Sequence, residues 1–216
     1  MLVQRTGYRN PFDDGISLIG HKNGKYLPVM SLNTDYGRNR KVILYGFTRA
    51  DINFDKNIET IMLDKDYHLR VYSTSGNLLI KSDEYYGHDP RLIDIGVVRQ
   101  VSELEVQGRP VRFRGRLLLE SFGGKRFILI PKNHTFGGGL LSNLVIVNNS
   151  SLVILGLEKD GFQKVAETKK QKGYLAAFQV ASFPEENKKN IYVATVEKGG
   201  LASKTMSSIF TYHWTL

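Results

Sequence analysis

The sequence predicts an all-β chain assembled from repeated antiparallel sheets. Short runs rich in Val, Ile, Leu, Tyr and Phe recur between turn residues, helical patterning is scarce, and a unit of about 40 residues repeats. The composition agrees: 216 residues, 41% apolar and 24% charged, with 21 Gly, 11 Tyr and 11 Phe. That balance favours tight turns and strand-forming side chains over a helical bundle.

Strand-like runs fall at Ile16 to Gly20, Val42 to Phe47, Glu59 to Leu63, His68 to Tyr72, Asn77 to Lys81 and Arg112 to Leu119, and further on at Arg126 to Pro131, Leu144 to Val147, Leu152 to Leu157, Phe162 to Ala166, Leu175 to Ala181, Ile191 to Val196 and Ser208 to His213. Turns are expected at Ser75-Gly76-Asn77, Gly123-Gly124, Asn148-Asn149-Ser150, Asp160-Gly161 and Gly199-Gly200, residue types that accept positive φ or tight reversals. Most connections are then hairpins and most pairings antiparallel. Gly96 to Gly108 reads as an insertion, either a small hairpin or a short helix.

From Tyr45 to Tyr85 four such strands fit into about 40 residues, the size of one propeller blade. The stretch from Gly173 repeats the opening of that unit but holds three strands before Leu216. The expected architecture is a single domain over 1–216 of β-propeller-type blades, each a four-stranded antiparallel sheet. Its units are a partial blade at 1–44, a regular blade at 45–88, an irregular blade with an insertion at 89–172 and a terminal blade at 173–216. Three to four blades fall short of the usual closed ring of about 4 to 8, so the expectation is an incomplete propeller: the C-terminal part of a longer chain, a last blade completed by the N-terminal strands, or a ring closed between chains.

With no Cys, disulfides, thiolate metal sites and cysteine nucleophiles are excluded. The beginning of the sequence lacks the apolar stretch of a signal peptide, and no run approaches the ~18 apolar residues that span a bilayer. The formal charge of +9 is uneven: residues 1–108 carry 14 Lys and Arg against 14 Asp and Glu, and residues 109–216 carry 16 against 7. Such a bias suits an acidic partner surface, and equally a basic solvated exterior.

The loop Ala50-Asp51-Ile-Asn53-Phe-Asp55-Lys-Asn57-Ile-Glu59 and the run from Leu69 through Ser82-Asp83 carry a resemblance to the FG-GAP or VCBS family of β-propeller repeats. The final unit is similar to the terminal blade of bacterial VCBS-repeat proteins. The resemblance implies a secreted or cell-envelope setting and a Ca²⁺ site in the acidic loop, where Asp51, Asn53, Asp55 and Glu59 offer side-chain oxygens and Asn57 a backbone carbonyl. Lys56 stands where the family has Gly, and a Lys there faces positive φ. The other reading of the loop is a polar turn whose carboxylates bond backbone amides. The matching positions of the final unit are Ser182, Pro184, Glu186 and Asn190, which suit no metal.

Other constellations carry less chemistry. No pair among the five His has zinc-site spacing. Gly137-Gly138-Gly139 lacks the Lys-Ser/Thr ending of a phosphate loop, and no Gly-x-Ser-x-Gly elbow supports a nucleophile. Arg112, Arg114 and Arg116 alternate, with Arg109 before them, and on one strand they would share a face able to grip sulfate, carboxylate or phosphate. The outer solvated side of a strand is the other reading. Phe210, Tyr212 and Trp214 also share a face, either packed on the neighbouring blade or, through Tyr212 and Trp214, forming a docking platform; Trp214, near the terminus, is expected exposed.

These readings converge on a non-catalytic binding or assembly module of a secreted or cell-envelope protein, meeting a protein or anionic glycan. A carbohydrate-active enzyme subunit is the alternative and would need Asp64, Asp66, Glu84 and Asp89 in one pocket. A polyanion or nucleic-acid binder using the basic second half is a third reading, marked by steep salt dependence.

Overall fold

The computed structural model describes residues 2–4, 16–32, 46–102, 105–135, 146–158, 161–182, 188–198 and 204–215, and every regular element among them is a strand. Strands β1 (Leu2–Gln4), β2 (Ile16–Lys22) and β3 (Lys25–Leu32) form a three-stranded sheet. Next comes a four-stranded meander of β4 (Phe47–Ala50), β5 (Glu59–Leu63), β6 (His68–Tyr72) and β7 (Leu78–Tyr85). A two-stranded ribbon follows, β8 (Leu92–Ser102) with β9 (Glu105–Arg112). The next meander is β10 (Leu118–Phe122), β11 (Lys125–Thr135), β12 (Val147–Glu158) and β13 (Gly161–Glu167), with the short β14 (Gln171–Lys172) also on β12. The last sheet is β15 (Tyr174–Ser182), β16 (Lys188–Glu197) and β17 (Met206–Thr215). Each of these strand pairs is antiparallel.

The sheets pack face to face in chain order. Ile61, Leu63, Leu69 and Val71 of the first meander meet Ile128, Ile130, Val153 and Leu155 of the second. The opposite face of the second, Phe127, Leu129, Leu152 and Ile154, meets Leu175, Phe178, Val180, Ile191, Val193 and Trp214 of the last sheet. Met62 and Tyr72, on the other face of the first meander, cover Ile16 of β2. This follows from strand geometry: successive side chains point to opposite faces, so a strand apolar at every position is one covered on both sides.

Several expected elements fall as read. Glu59–Leu63 and His68–Tyr72 are strands with those bounds, Gly96 to Gly108 is a hairpin, and the glycines at 76, 123 and 124 hold positive φ. Others differ. Arg112 to Leu119 is not one strand, because β9 ends at Arg112 and β10 starts at Leu118, with Gly115 at φ 123° between them. The chain crosses there against Gly87: a Cβ on Gly87 would lie 1.9 Å from the Arg114 carbonyl oxygen, and its φ of 80° also favours Gly. Asn148-Asn149-Ser150 is not a turn but part of β12, where Asn149 pairs with His134 on one side and Lys172 on the other. The reversal at Asn23-Gly24, φ 52° and 74°, joins β2 to β3 and went unread, although Asn-Gly between apolar runs is a strong hairpin signal. Most of Val42 to Phe47, part of Leu144 to Val147, and the Gly137 and Gly199 runs lie outside the described residues.

Trp214 is 6% exposed, so the docking platform expected of it is corrected: its ring meets Phe127 at 4.8 Å and Phe122 at 5.0 Å, both edge on. The packing reading of the Phe210, Tyr212 and Trp214 face is the one the structure adopts. As the sole tryptophan, Trp214 should emit at short wavelength in the native state and shift to the red on unfolding. Trp214→Phe should cost less than Trp214→Ala, which should lower unfolding free energy by about 3 to 5 kcal/mol in a urea titration.

Candidate functional site

The acidic loop between β4 and β5 is held by its own amides. Asp51 accepts from the N–H groups of Asp55 (3.0 Å) and Lys56 (3.1 Å), and Asp55 Oδ1 from that of Asn57 (2.8 Å). Asn53 Oδ1 accepts from Asp55 N–H (3.2 Å) while its Nδ2 donates to Asp55 Oδ2 (3.0 Å), and buried Glu59 accepts from Ile52 N–H (3.0 Å). These bonds, with the Asn57 amide first, hold the Asp55 carboxyl below its ordinary pKa. Phe54 and Lys56 take φ of 62° and 72°, the strained region expected for Lys56. Among the described residues no three His, Asp or Glu side chains converge as metal ligands. As arranged, the loop is a self-capped turn, its carboxylates taken up by its own backbone amides.

The four carboxylates named for glycosidic chemistry do not meet. Asp64 is buried in an ion pair with Arg70, also buried, and accepts from the N–H groups of Asp66 (2.8 Å) and His68 (2.9 Å), which closes the β5–β6 turn. Asp89 is held by Arg91, Glu84 by Lys132 at 2.5 Å, and Asp66 lies 3.7 Å from Lys65 at the surface. Removing one partner of the buried pair Asp64 and Arg70 strands a charge, so that pair is structural. Nearby, Ser151 donates to Glu167 at 2.7 Å while His134 lies 3.4 Å from the same oxygen, so the hydroxyl is committed to the carboxylate.

The arginines separate. Arg109 and Arg112 lie in β9, and their side chains are outside the described residues. Arg114 turns toward the first meander and donates to the Leu63 carbonyl at 3.2 Å, with burial lowering its pKa. Arg116 turns the other way, donating to the Phe178 carbonyl at 3.2 Å with its guanidinium 5.7 Å from that ring. Arg114 and Arg116 therefore do not share the face expected of them, since the chain between β9 and β10 is not extended strand.

Arg116 instead lines a cavity of about 390 Å³ with Arg91. Its apolar lining is Phe47, Leu117, Pro131, Leu175 and Phe178, so β4, β15 and the run into β10 contribute to it. Buried Asp89 grips Arg91 by bonds of 2.8, 3.1 and 2.5 Å, raising the guanidinium pKa, and the cation lies 5.5 Å from the Phe113 ring and 6.0 Å from that of Tyr174. Arg116 is exposed, with no carboxylate partner among the described residues. One carboxylate against two guanidinium groups leaves the lining positive over an apolar floor, the makeup of a site for an anionic group on a less polar body. Among the described residues, Arg116 is the expected binding residue that lines it. Tyr212 is half-buried and its hydroxyl accepts from Gln171 Nε2 at 2.9 Å. His88-Asp89-Pro90 carries a turn signature, and nothing in the spacing announces that the next residue, Arg91, meets Arg116 from the far side of the ribbon.

Comparison with protein-family models, curated proteins and solved structures finds no match.

His88 and His134 sit where the first two meanders meet. Burial, then His134, lowers the pKa of His88; burial, then Lys170 and Lys132, lowers that of His134. A base with a folded pKa below its unfolded 6.5 takes its proton more readily when unfolded, so its stability contribution is present above pH 6.5 and is lost as pH falls through the folded values. The urea midpoint should therefore fall on acidification from neutrality, and His88→Asn with His134→Gln should flatten that slope.

Proposed function

We propose that this chain is a set of propeller-type blades serving as a non-catalytic binding or assembly module, in which the arginine pocket receives a carboxylate or sulfate carried by a protein or glycan. The pocket's chemistry carries the reading: Arg91 is braced by Asp89, Arg116 has no carboxylate of its own, and apolar side chains line the floor. An Arg pair of this kind favours oxyanions, because the planar guanidinium forks match their geometry.

The blade reading is supported by the four-stranded meanders stacked in chain order and by the first strands that line the pocket together. Central meeting points of repeated sheets are common ligand sites. The resemblance to FG-GAP and VCBS repeats supplies the cell-envelope setting. Separation of Asp64, Asp66, Glu84 and Asp89 onto different cations favours binding over glycoside hydrolysis.

Calorimetric titration with a heparin-derived tetrasaccharide and with a glutamate-rich peptide tests the proposal and separates its two sources. At least one should bind, weakening as salt screens the charges, and Arg116→Ala should reduce affinity about tenfold or more, worth ~1.4 kcal/mol, with an unchanged urea midpoint. Binding that ignores Arg116→Ala, or the absence of binding by either probe, overturns it.

A further inference from the structure

The walls of the arginine pocket restrict the body that can carry an anion into it. Apart from Asp89, Arg91 and Arg116, each lining residue is glycine or has a hydrocarbon side chain, so no hydroxyl, amide or imidazole group stands among them. Three are phenylalanines: Phe47 on β4, Phe113 in the run after β9 and Phe178 on β15. Phe178 is buried, whereas Phe47 and Phe113 are half-buried and keep ring surface that an occupant would cover.

The cations are held so that part of each guanidinium is left over. Buried Asp89 takes Nε and Nη2 of Arg91, and Nη1 meets no acceptor among the described residues. Arg116 gives Nη1 to the Phe178 carbonyl, and its Nε and Nη2 meet no acceptor among the described residues. Both groups lie over rings, Arg91 over Phe113 and Tyr174 and Arg116 over Phe178, which ties the cations to the aromatic wall.

We infer that the ligand of this pocket is an aromatic carboxylate, its ring among Phe47, Phe113 and Phe178 and its carboxylate on Arg91 and Arg116. The inference rests on the pocket reading proposed above and narrows it. A volume of about 390 Å³ lies at the small end of the roughly 300 to 1,000 Å³ of ligand pockets, room for one ring and a short arm. A sugar ring would give up the water on its hydroxyls to walls without side-chain partners. An aromatic ring instead gains from contact with other rings beyond the area it covers. A free arylalkanoic acid and a phenylalanine at the C-terminus of a protein chain share this chemistry.

NMR titration with 3-phenylpropionate tests this. It should bind saturably, shift the ring signals of Phe47 and Phe113, and bind about tenfold or more tighter than propionate, which lacks the ring, or 3-phenylpropanol, which lacks the charge. Glucuronate should bind no tighter than propionate. Phe113→Leu, which keeps apolar bulk without the ring, should weaken 3-phenylpropionate about threefold or more and leave propionate unchanged; the ligand comparison decides the matter even where that variant fails to fold. A pentapeptide ending in Phe with a free carboxylate separates the sources: tighter binding than 3-phenylpropionate assigns the ligand to a chain terminus, and weaker binding to a free acid. Absence of saturable binding, equal affinity for 3-phenylpropionate and propionate, or preference for glucuronate overturns the inference. The pocket proposal survives that failure if the heparin fragment or the glutamate-rich peptide still binds through Arg116.

Discussion

The whole stack depends on one sheet being buried on both faces. In β11 and β12, Ile128, Ile130, Val153 and Leu155 face the first meander while Phe127, Leu129, Leu152 and Ile154 face the last sheet. Each is worth roughly 1.5 to 3 kcal/mol when removed from water, and each face is covered by a different neighbour. Neither neighbour can be lost without exposing four of these side chains. The arginine pocket lies beside this sheet, where the run into its first strand meets β4 and β15.

Apolar contact is non-directional, so polar bonds fix how the sheets sit on one another. Asn133, buried on β11, joins three of them: its N–H donates to the Gly87 carbonyl at the end of the first meander (3.2 Å), and its side-chain oxygen accepts from Leu175 N–H on the last sheet (2.8 Å). Gly87 N–H in turn donates to the Pro131 carbonyl at 2.7 Å. Farther along, Lys189 of β16 reaches Glu120 of β10 at 2.6 Å while lying 5.6 Å from the Phe122 ring. Asn133 and Lys189 are both buried, so these bonds hold the alignment because a sheet that slipped would leave desolvated polar groups unpaired.

The strands were legible wherever an apolar run was bounded by turn residues, as at Glu59–Leu63 and His68–Tyr72. Legibility failed where a residue's usual meaning was overridden by tertiary contact. Asn148-Asn149-Ser150 has turn composition but is gripped between β11 and β14. Arg112 to Leu119 has strand alternation, yet Gly87 and Gly115 approach so closely that the chain bends there. For the site, Arg116 was readable as a cation and not as a neighbour of Arg91, because they come together only when the ribbon of β8 and β9 folds back between them. Trp214 misled in the other direction, since nearness to the end of the sequence says nothing about whether the last strand docks.

The acidic loop shows why its residue pattern alone could not separate two readings. A carboxylate in a tight loop must be satisfied, and a hard cation or a row of backbone N–H groups can each do it. Alternating Asp and Asn positions serve both, because the same turn that would gather oxygens around an ion also aims amides at Asp51 and Asp55. With Lys56 at φ 72° beside Phe54 at 62°, the turn holds two strained residues and a positive charge near the oxygens. Its stability then rests on the amide bonds, and those bonds set the direction of Phe54. A pattern that the resemblance associates with an ion therefore does mechanical work here, fixing an aromatic ring above Arg126.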